Sequence, residues 1–403
     1  MSVTFRQVFA SGEYRALWSA TALSDVGDQL ARVAVSVIAY ETTSSVALTA
    51  ATYALTFVPA LLGGPLLGGV ADRLPRREVM FACDLARAGL VALMAAPGIP
   101  LAVICVLLFA VHLLEAPVRA SYSAVLPHIL DGGRYVTGLS AIQLASQSAR
   151  LLGFTLGGVA VATIQPSGAL LLDAATFLAA ALIVRLGLAA RPAPEGLSGD
   201  SPLRSIAAAV RVVTADPRLR LLAASAWLAG FYAVPTALAV PYAGDLGVGS
   251  GATGLLMAAG PAGAVAGVLV LGRWVSPAAR QALLGPLAVA TSLPLTAMAL
   301  RPGLVVTLLL WVMAGALSAY QVIANAEFVR GVPDERRGQA VGLVGSVLVA
   351  VQGIGIAVAG AVAELTGTAT AIALSGAAGV AAALPIAIGW HTAGRSPAKS
   401  GAG

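Results

Sequence analysis

Apolar residues in this chain come in long runs, without the short alternations of half-buried strands. Reading those runs against charged or Gly/Pro-rich interruptions predicts twelve helices. They lie near 17–40, 46–70, 79–97, 100–120, 136–162 and 167–188, then near 219–242, 252–272, 281–300, 303–326, 339–362 and 367–390. Each has roughly the 20 apolar residues that a helix needs to cross a hydrocarbon layer about 30 Å thick. Only the turn Pro97-Gly98-Ile99-Pro100 separates the third run from the fourth. One long polar insert, 189–218, divides six runs from six. The polar first sixteen residues lack the core of a secretory signal, so the first run is expected to be a retained anchor.

The expected fold is therefore an all-α membrane protein, twelve transmembrane helices in two pseudo-symmetric six-helix bundles. The bundles would be 1–188 and 219–403, the second ending in a short tail, with 189–218 as a cytoplasmic linker. Composition supports a bilayer. Of the 403 residues 58% are hydrophobic and 10% charged, too few charges to cover a water-facing surface, since soluble domains carry about 25%. The 45 glycines suit closely approaching membrane helices. Two cysteines, Cys83 and Cys105, and three scattered histidines, His112, His128 and His391, leave no basis for a disulfide framework or a metal centre. No cofactor is expected. Without a Walker loop, a Ser/His/Asp set or an HExxH pattern, no enzyme chemistry is indicated.

The net charge of +6 raises the question of nucleic acid, and the placement of the basic residues answers it. Twenty of the 24 lie in the two tails and in the loops after even-numbered spans. The opposite loops carry only Arg301, while Arg32, Arg87 and Arg150 fall inside spans. That asymmetry obeys the positive-inside rule with both termini cytoplasmic. The positive charge faces anionic headgroups, and nucleic acid is not needed as a partner. Within the insert, Leu203, Ile206, Ala207, Val210 and Val213 recur at helical spacing, with Arg204 and Arg211 elsewhere on the helix. A short amphipathic helix is expected there, lying on the inner leaflet or packed on the protein.

The two halves echo one another. Gly68-Gly69-Val70-Ala71-Asp72-Arg73 follows span two, and Leu271-Gly272-Arg273 follows span eight. Spans four and ten both run into a basic, Pro-containing loop, then Thr137-Gly138-Leu139 in one half and Val341-Gly342-Leu343 in the other. A six-span repeat about an axis along the membrane normal is one way transporters are built.

The sharpest motif is Gly68, Asp72, Arg73, Pro75, Arg76 and Arg77 in the loop between spans two and three. Glycine permits close helix approach, the aspartate can accept N–H groups at a helix amino end, and the arginines supply anchors. In that order and place the residues resemble the signature loop of the major facilitator superfamily, Gly-x-x-x-Asp-Arg-x-Gly-x-Arg/Lys-Arg/Lys, and its twelve-span efflux members in particular. Pro75 stands where the family has glycine. The resemblance implies a latch on the cytoplasmic side, partnered near Gly338 to Ala340. In span five, Gly153, Gly157 and Gly158 resemble the Gly-Pro-x-x-Gly-Gly element of the family's antiporters, with Phe154 in place of proline. Small-residue packing explains the same row without that role.

Ionisable groups inside spans cost roughly 2.5–3.5 kcal/mol each on insertion scales, so each needs a partner or a task. Asp25, Asp28 and Arg32 share one stripe of the first span, where Asp28 and Arg32 are spaced to pair. Asp25, less neutralised, is the candidate for proton exchange. Asp84 and Arg87 are spaced to pair in span three; Glu115 lies between His112 and Arg119; Arg150 has no acid in its own span; Asp173 is expected near the outer, wetted end of span six. The family resemblance places a substrate cavity among spans one, four, seven and ten. Gln29, His112, Glu115, Arg150, Trp227, Phe231, Tyr232, Tyr320, Gln321 and Asn325 are its candidates.

Taken with the resemblance, these readings point to a proton-coupled exporter of small hydrophobic or amphipathic organic compounds, working by alternating access in a bacterial cytoplasmic membrane. Its partners would be the substrate, protons and lipid, with no obligate protein partner and a monomeric state. A proton-coupled uptake permease and a non-transporting receptor are the alternatives.

Overall fold

A computed structural model of the chain describes residues 4–67, 74–192, 202–333 and 336–393. Its elements are helices, and no strand occurs among the described residues. The first long helix, Gly12–Thr43, begins where Ser11 Oγ accepts the Tyr14 N–H at 3.3 Å. It ends at Ser44, which adopts a left-handed conformation with φ 52°. Ser45 then caps Val46–Leu55 by accepting the Leu48 N–H at 3.1 Å. Two adjacent serines thus stop one helix and start the next, the second by the usual N-cap hydrogen bond.

Prolines set other breaks. The 56 helical residues Gly132–Gly187 would extend about 84 Å if straight, far more than a bilayer. They divide at Gln165 (φ 66°, ψ 168°), the residue before Pro166, where crowding by the ring disfavours the helical conformation. Pro217–Ala237 and Ala239–Asp245 meet at 42°. Pro241 has no N–H to offer the Ala237 carbonyl one turn earlier, so the ladder lapses at Leu238.

Eight helices among the described residues are long and apolar enough to cross a membrane, or nine with the bent pair counted as one more. Gly12–Thr43 and Arg76–Met94 have the length but are interrupted by charge, Asp25, Asp28 and Arg32 in one, Asp84 and Arg87 in the other. Aliphatic side chains cover the outer faces. Val106, Leu186, Leu269, Leu309, Ile354 and Ile388 are between 64% and 84% exposed. A soluble surface does not present aliphatic area on that scale, and lipid tails accept it without cost.

The chain forms two compact units, Met1–Gly199 with Ala239–Ala258, and Asp200–Leu238 with Ala259–Gly403. Tyr14, Leu17, Met80, Leu126 and Val184 centre the core of the first, and Leu219, Leu222, Leu284, Tyr320 and Phe328 that of the second. The sequence echo has a counterpart inside each unit. Trp18 on the first predicted span donates to the Ala141 carbonyl on the fifth at 3.2 Å. Trp227 on the seventh donates to the Val344 carbonyl on the eleventh, also at 3.2 Å.

The insert contains the helix Pro202–Ala215. From Ala207 onward, Ala209 and Val213 are buried, Val213 against Leu219 and Leu222, while Val210 is 42% exposed. Val213 of the stripe read from the sequence thus packs into the core of the second unit.

Candidate functional site

The buried charge collects in the first unit. Arg87, 1% exposed, sits on Arg76–Met94 and reaches across to the first helix. Its Nη2 donates to both carboxylate oxygens of Asp28, at 3.0 and 3.1 Å. Its Nη1 donates to Ser24 Oγ at 3.3 Å and lies 3.5 Å from Asp84 Oδ1 on its own helix. The guanidinium also stacks over the Phe177 ring, 4.0 Å from the centroid. One turn before Phe177 stands Asp173, fully buried, within the electrostatic reach of Asp28 and Arg87.

This arrangement keeps the expected pairing of Asp84 with Arg87 and changes two other expectations from the sequence. Asp28 pairs with Arg87 on another helix and not with Arg32 four residues on. Asp84 shares Arg87 with it. Asp173 is not wetted at all. Helical spacing can only propose partners on one helix, whereas here the Asp28 side of the stripe faces Arg76–Met94. A count of charge would have pointed the same way, because spans three and six both carry an acid in otherwise apolar runs.

The other side of the stripe faces the Gly132–Gly187 helix. Asp25 accepts a hydrogen bond from Ser146 Oγ at 2.5 Å and forms no ion pair among the described residues. Gln29, buried, donates to the Asp25 carbonyl at 3.4 Å and accepts from Arg32 at 3.5 Å. Arg32 lies over the rings of Tyr53 and Phe57, at 5.9 and 5.7 Å. Glu115 is held by Arg119 at 2.5 Å and by His112 Nδ1 at 3.5 Å. Arg150 is exposed and forms no ion pair with a described residue, in the fields of Arg32, Asp25 and Arg119. Glu115 is thus not its partner.

The glycine row explains how these helices approach so closely. A Cβ on Gly153 would stand 2.7 Å from both Gln29 Cβ and the Val26 carbonyl, and one on Gly157 would stand 3.2 Å from Leu30 Cα. Gly158 faces Gly254, 2.5 Å from its Cα by the same construction. All three are contact points of helix packing.

Of the signature-loop residues, Gly68, Asp72 and Arg73 lie outside the described residues. Arg76 donates to the Ala124 carbonyl at 2.9 Å and stands 3.1 Å from His128 Nε2. Arg77 donates to Glu78 at 2.9 Å and to the Leu188 carbonyl at 3.3 Å. Glu78 also binds Arg185. The Arg77 hydrogen bond, with the charges of Arg185 and Arg77, holds the Glu78 carboxyl below its ordinary value. At Glu13, burial acts upward, but the hydrogen bonds from Arg191 and the Ala189 N–H, both at 2.6 Å, outweigh it and lower the carboxyl.

In the second unit the expected cavity residues act as ties. Tyr320, fully buried, donates to the Ser225 carbonyl at 2.9 Å. Gln321 Nε2 lies 3.3 Å from that carbonyl, 3.1 Å from that of Ala226 and 2.5 Å from Tyr232 Oη. These carbonyls sit where the helix breaks after Trp227, so side chains satisfy groups that the ladder releases. Phe231 and Trp227 are half-buried against the core, and Asn325 is exposed.

The Major Facilitator Superfamily profile matches residues 17–299. No curated protein sequence matches the chain significantly. Among solved structures, the nucleoside transporter NupG is similar with a TM-score of 0.72 and 15% identity, covering 94% of this chain and 99% of that one. The POT family transporter PepTSo aligns with a TM-score of 0.71 and 13% identity, covering 94% and 98%. A bacterial homolog of the human lysosomal transporter Spinster, inward-facing and unoccupied, aligns at 0.63 and 15%, covering 95% of each chain. At these identities the likeness is one of fold.

Proposed function

The chain belongs to the Major Facilitator Superfamily, and from that premise we propose that it is a proton-coupled exporter of small hydrophobic or amphipathic organic compounds. It is a membrane transporter and not an enzyme. Twelve spans are supported by adding three kinds of helix to the eight that qualify outright. These are the bent pair after Pro217, the two charge-interrupted helices, and the second helix released by the break at Gln165. With twelve, the distribution of arginines favours both termini on the cytoplasmic side of a bacterial inner membrane.

The observation that carries proton coupling is the environment of Asp25. It is held by a hydroxyl and not by a guanidinium. A hydroxyl donates to a carboxylate and accepts from a carboxylic acid, so the contact with Ser146 survives either protonation state. An ion pair with arginine would resist the change. The substrate class rests on the family's placing of a cavity beside span seven, where Trp227, Phe231 and Tyr232, half-buried against the core, offer apolar and ring surface with few charges. The driving force suffices, since one proton crossing 100 mV releases about 2.3 kcal/mol.

Everted membrane vesicles carrying the protein test this with ethidium and neutral amphipathic dyes. Export predicts accumulation when an inward-acid gradient is imposed. Movement in the opposite direction would make the protein an uptake system, and absence of both driven flux and counterflow would make it a receptor. Asp25→Asn should abolish driven accumulation while leaving counterflow intact.

A further inference from the structure

We propose that Asp173 and Asp84, gathered with Asp28 around the single guanidinium of Arg87, form a second proton-binding site, separate from Asp25. The proposal rests on the proton-coupled reading for its use in transport, though not for its chemistry.

Three carboxyl groups from three helices share one cation. Asp28, Asp84 and Asp173 are 7%, 3% and 0% exposed, and Arg87 is 1% exposed. Asp28 receives one amino group of Arg87 through both carboxylate oxygens, at 3.0 and 3.1 Å, the shortest contacts that the guanidinium makes with the three acids. The second amino group of Arg87 is divided between Ser24 and Asp84, at the longer distances of 3.3 and 3.5 Å. Asp84 Oδ1 has no hydrogen bond, nor has Asp173 Oδ2. Were all three acids ionised, two negative charges would stand unbalanced where water does not reach. Buried charge without a counter-charge neutralises instead.

The contacts of Asp173 agree with its acid form. Thr176 has a single hydroxyl hydrogen, and its Oγ1 lies 2.7 Å from the Asp173 main-chain carbonyl and 3.2 Å from Asp173 Oδ1. The shorter contact takes the hydrogen. A proton on Asp173 Oδ1, donated to the Thr176 hydroxyl oxygen, would satisfy the longer one. Gly27 makes room for this group, because a Cβ there would collide with Asp173 Oδ1 and Thr176 Oγ1. The first helix therefore lies against Asp173 through a bare backbone, one residue before Asp28.

The groups that face the site are Ser24 and Asp28 from the first helix, Asp84, Arg87 and neighbouring Cys83 from Arg76–Met94, and Asp173, Thr176 and Phe177 from the helix after Gln165. Glu115 adds its field at Arg87. Binding is a reversible O–H bond at a carboxylate oxygen of Asp173 or Asp84, the proton coming from water and returning to it. With both protons on, Arg87 binds Asp28 alone. With either removed, a second carboxylate competes for the guanidinium, and the tie among the three helices changes. The cluster would thus convert a proton count into a helix arrangement.

Infrared difference spectroscopy of the purified full chain in nanodiscs, between acidic and alkaline pH, reads this directly through the carbonyl stretch of protonated carboxyl groups. The expected result is a band that Asp173→Asn and Asp84→Asn each reduce by one carboxyl and that Asp25→Asn reduces independently. Thr176→Val should shift the band without removing it, which keeps the test valid if an asparagine variant fails to fold. A band unchanged by both asparagine variants and by Thr176→Val overturns the proposal. The same preparations in vesicles separate the two ideas. If the band responds as expected but no dye moves with the gradient, the site stands and the coupled-transport reading falls. If dye moves but the band ignores Asp173, Asp84 and Thr176, the reading stands and this site falls.

Discussion

Replacing Arg87 with methionine keeps most of the side-chain volume and removes the charge, leaving Asp28 buried without its partner. Breaking one side of a buried pair costs about 3–5 kcal/mol. A second route limits the loss, because Asp28 can take a proton. From an ordinary aspartate value of about 3.9, neutralising it at pH 7 costs roughly 4 kcal/mol, at about 1.4 kcal/mol per pH unit. The stack on Phe177 at 4.0 Å adds about 2 kcal/mol when desolvated, part of which a methionine recovers against the ring. Arg87→Met is therefore expected to destabilise the protein by about 4 kcal/mol near neutral pH. The pH dependence carries more information. In the variant the folded state binds a proton that the unfolded state lacks, so stability falls as pH rises. Relative to wild type, an added slope of about 1.4 kcal/mol per unit means that one acid took up a proton when Arg87 was lost, and about twice that means that Asp84 or Asp173, ionised in the wild type, did so as well. The half-buried thiols of Cys83 and Cys105 allow the measurement, as thermal unfolding followed with a thiol-reactive fluorophore across pH. Asp28→Asn with Arg87→Met should recover most of the loss, since neutral pairs are tolerated where half-pairs are not. Wild-type stability in Arg87→Met alone, with the pH dependence of the wild type, would refute the pairing and the charge count built on it.

Three further outcomes are expected. Gly153→Leu would drive a side chain into Gln29 and the Val26 carbonyl, costing about 1–3 kcal/mol through overpacking and lowering the thermal midpoint more than Gly98→Ala in the 97–100 turn. Glu78 is stabilised by Arg77 and Arg185 while ionised; because its folded value is depressed, that contribution is present at neutral pH and is lost as pH falls through the folded value. Glu78→Gln should accordingly reduce the acid sensitivity of thermal stability below the ordinary glutamate range. Gln321→Ala would leave the Ser225 carbonyl to Tyr320 and take the side-chain donor from the Ala226 carbonyl, costing about 1–3 kcal/mol, visible as faster hydrogen exchange around residues 225–231.

Helix content, the division near 165 and the length of most spans were legible because they depend on local facts: apolar run length, proline position and the turn at 97–100. Buried pairing was not legible, because it depends on which face of each helix meets which neighbour. Asp25 and Asp28 lie on one stripe by spacing, yet the helix lies at a junction, so Ser146 receives one and Arg87 the other. Asp173 illustrates the same limit from the other direction. Its distance along span six suggested a wet end, but contact with Gly27 seals it. The aromatics of span seven were legible as a group, whereas their use as ties was hidden, since a break after Trp227 is what gives Gln321 and Tyr320 free carbonyls to bind. The row Gly153, Gly157 and Gly158 could be read as a packing surface, because absence of a side chain acts wherever the partner is.

The two units solve the problem of polar groups in a membrane differently, and the difference bears on mechanism. Among the described residues, the buried charged side chains Asp28, Asp84, Arg87 and Asp173 all belong to the first unit. The buried polar side chains of the second are uncharged, Ser225, Thr291, Ser292, Thr307 and Thr368. Charge in a low-dielectric interior is sensitive to protonation and to small shifts of a counter-ion, so it suits a component that must register protons. Neutral ties do not register pH, but they let a helix break and remain satisfied. Such breaks in the second unit fall after Trp227, at Ala233, at Leu238 and around the 3₁₀ turn Ala297–Leu300. A proton-sensing first unit and a second unit of interrupted helices would place the energy input and the backbone freedom in different parts of the same repeat. On this view the duplicated six-helix plan does not imply duplicated roles, and proton coupling should respond to charge substitutions in the first unit alone.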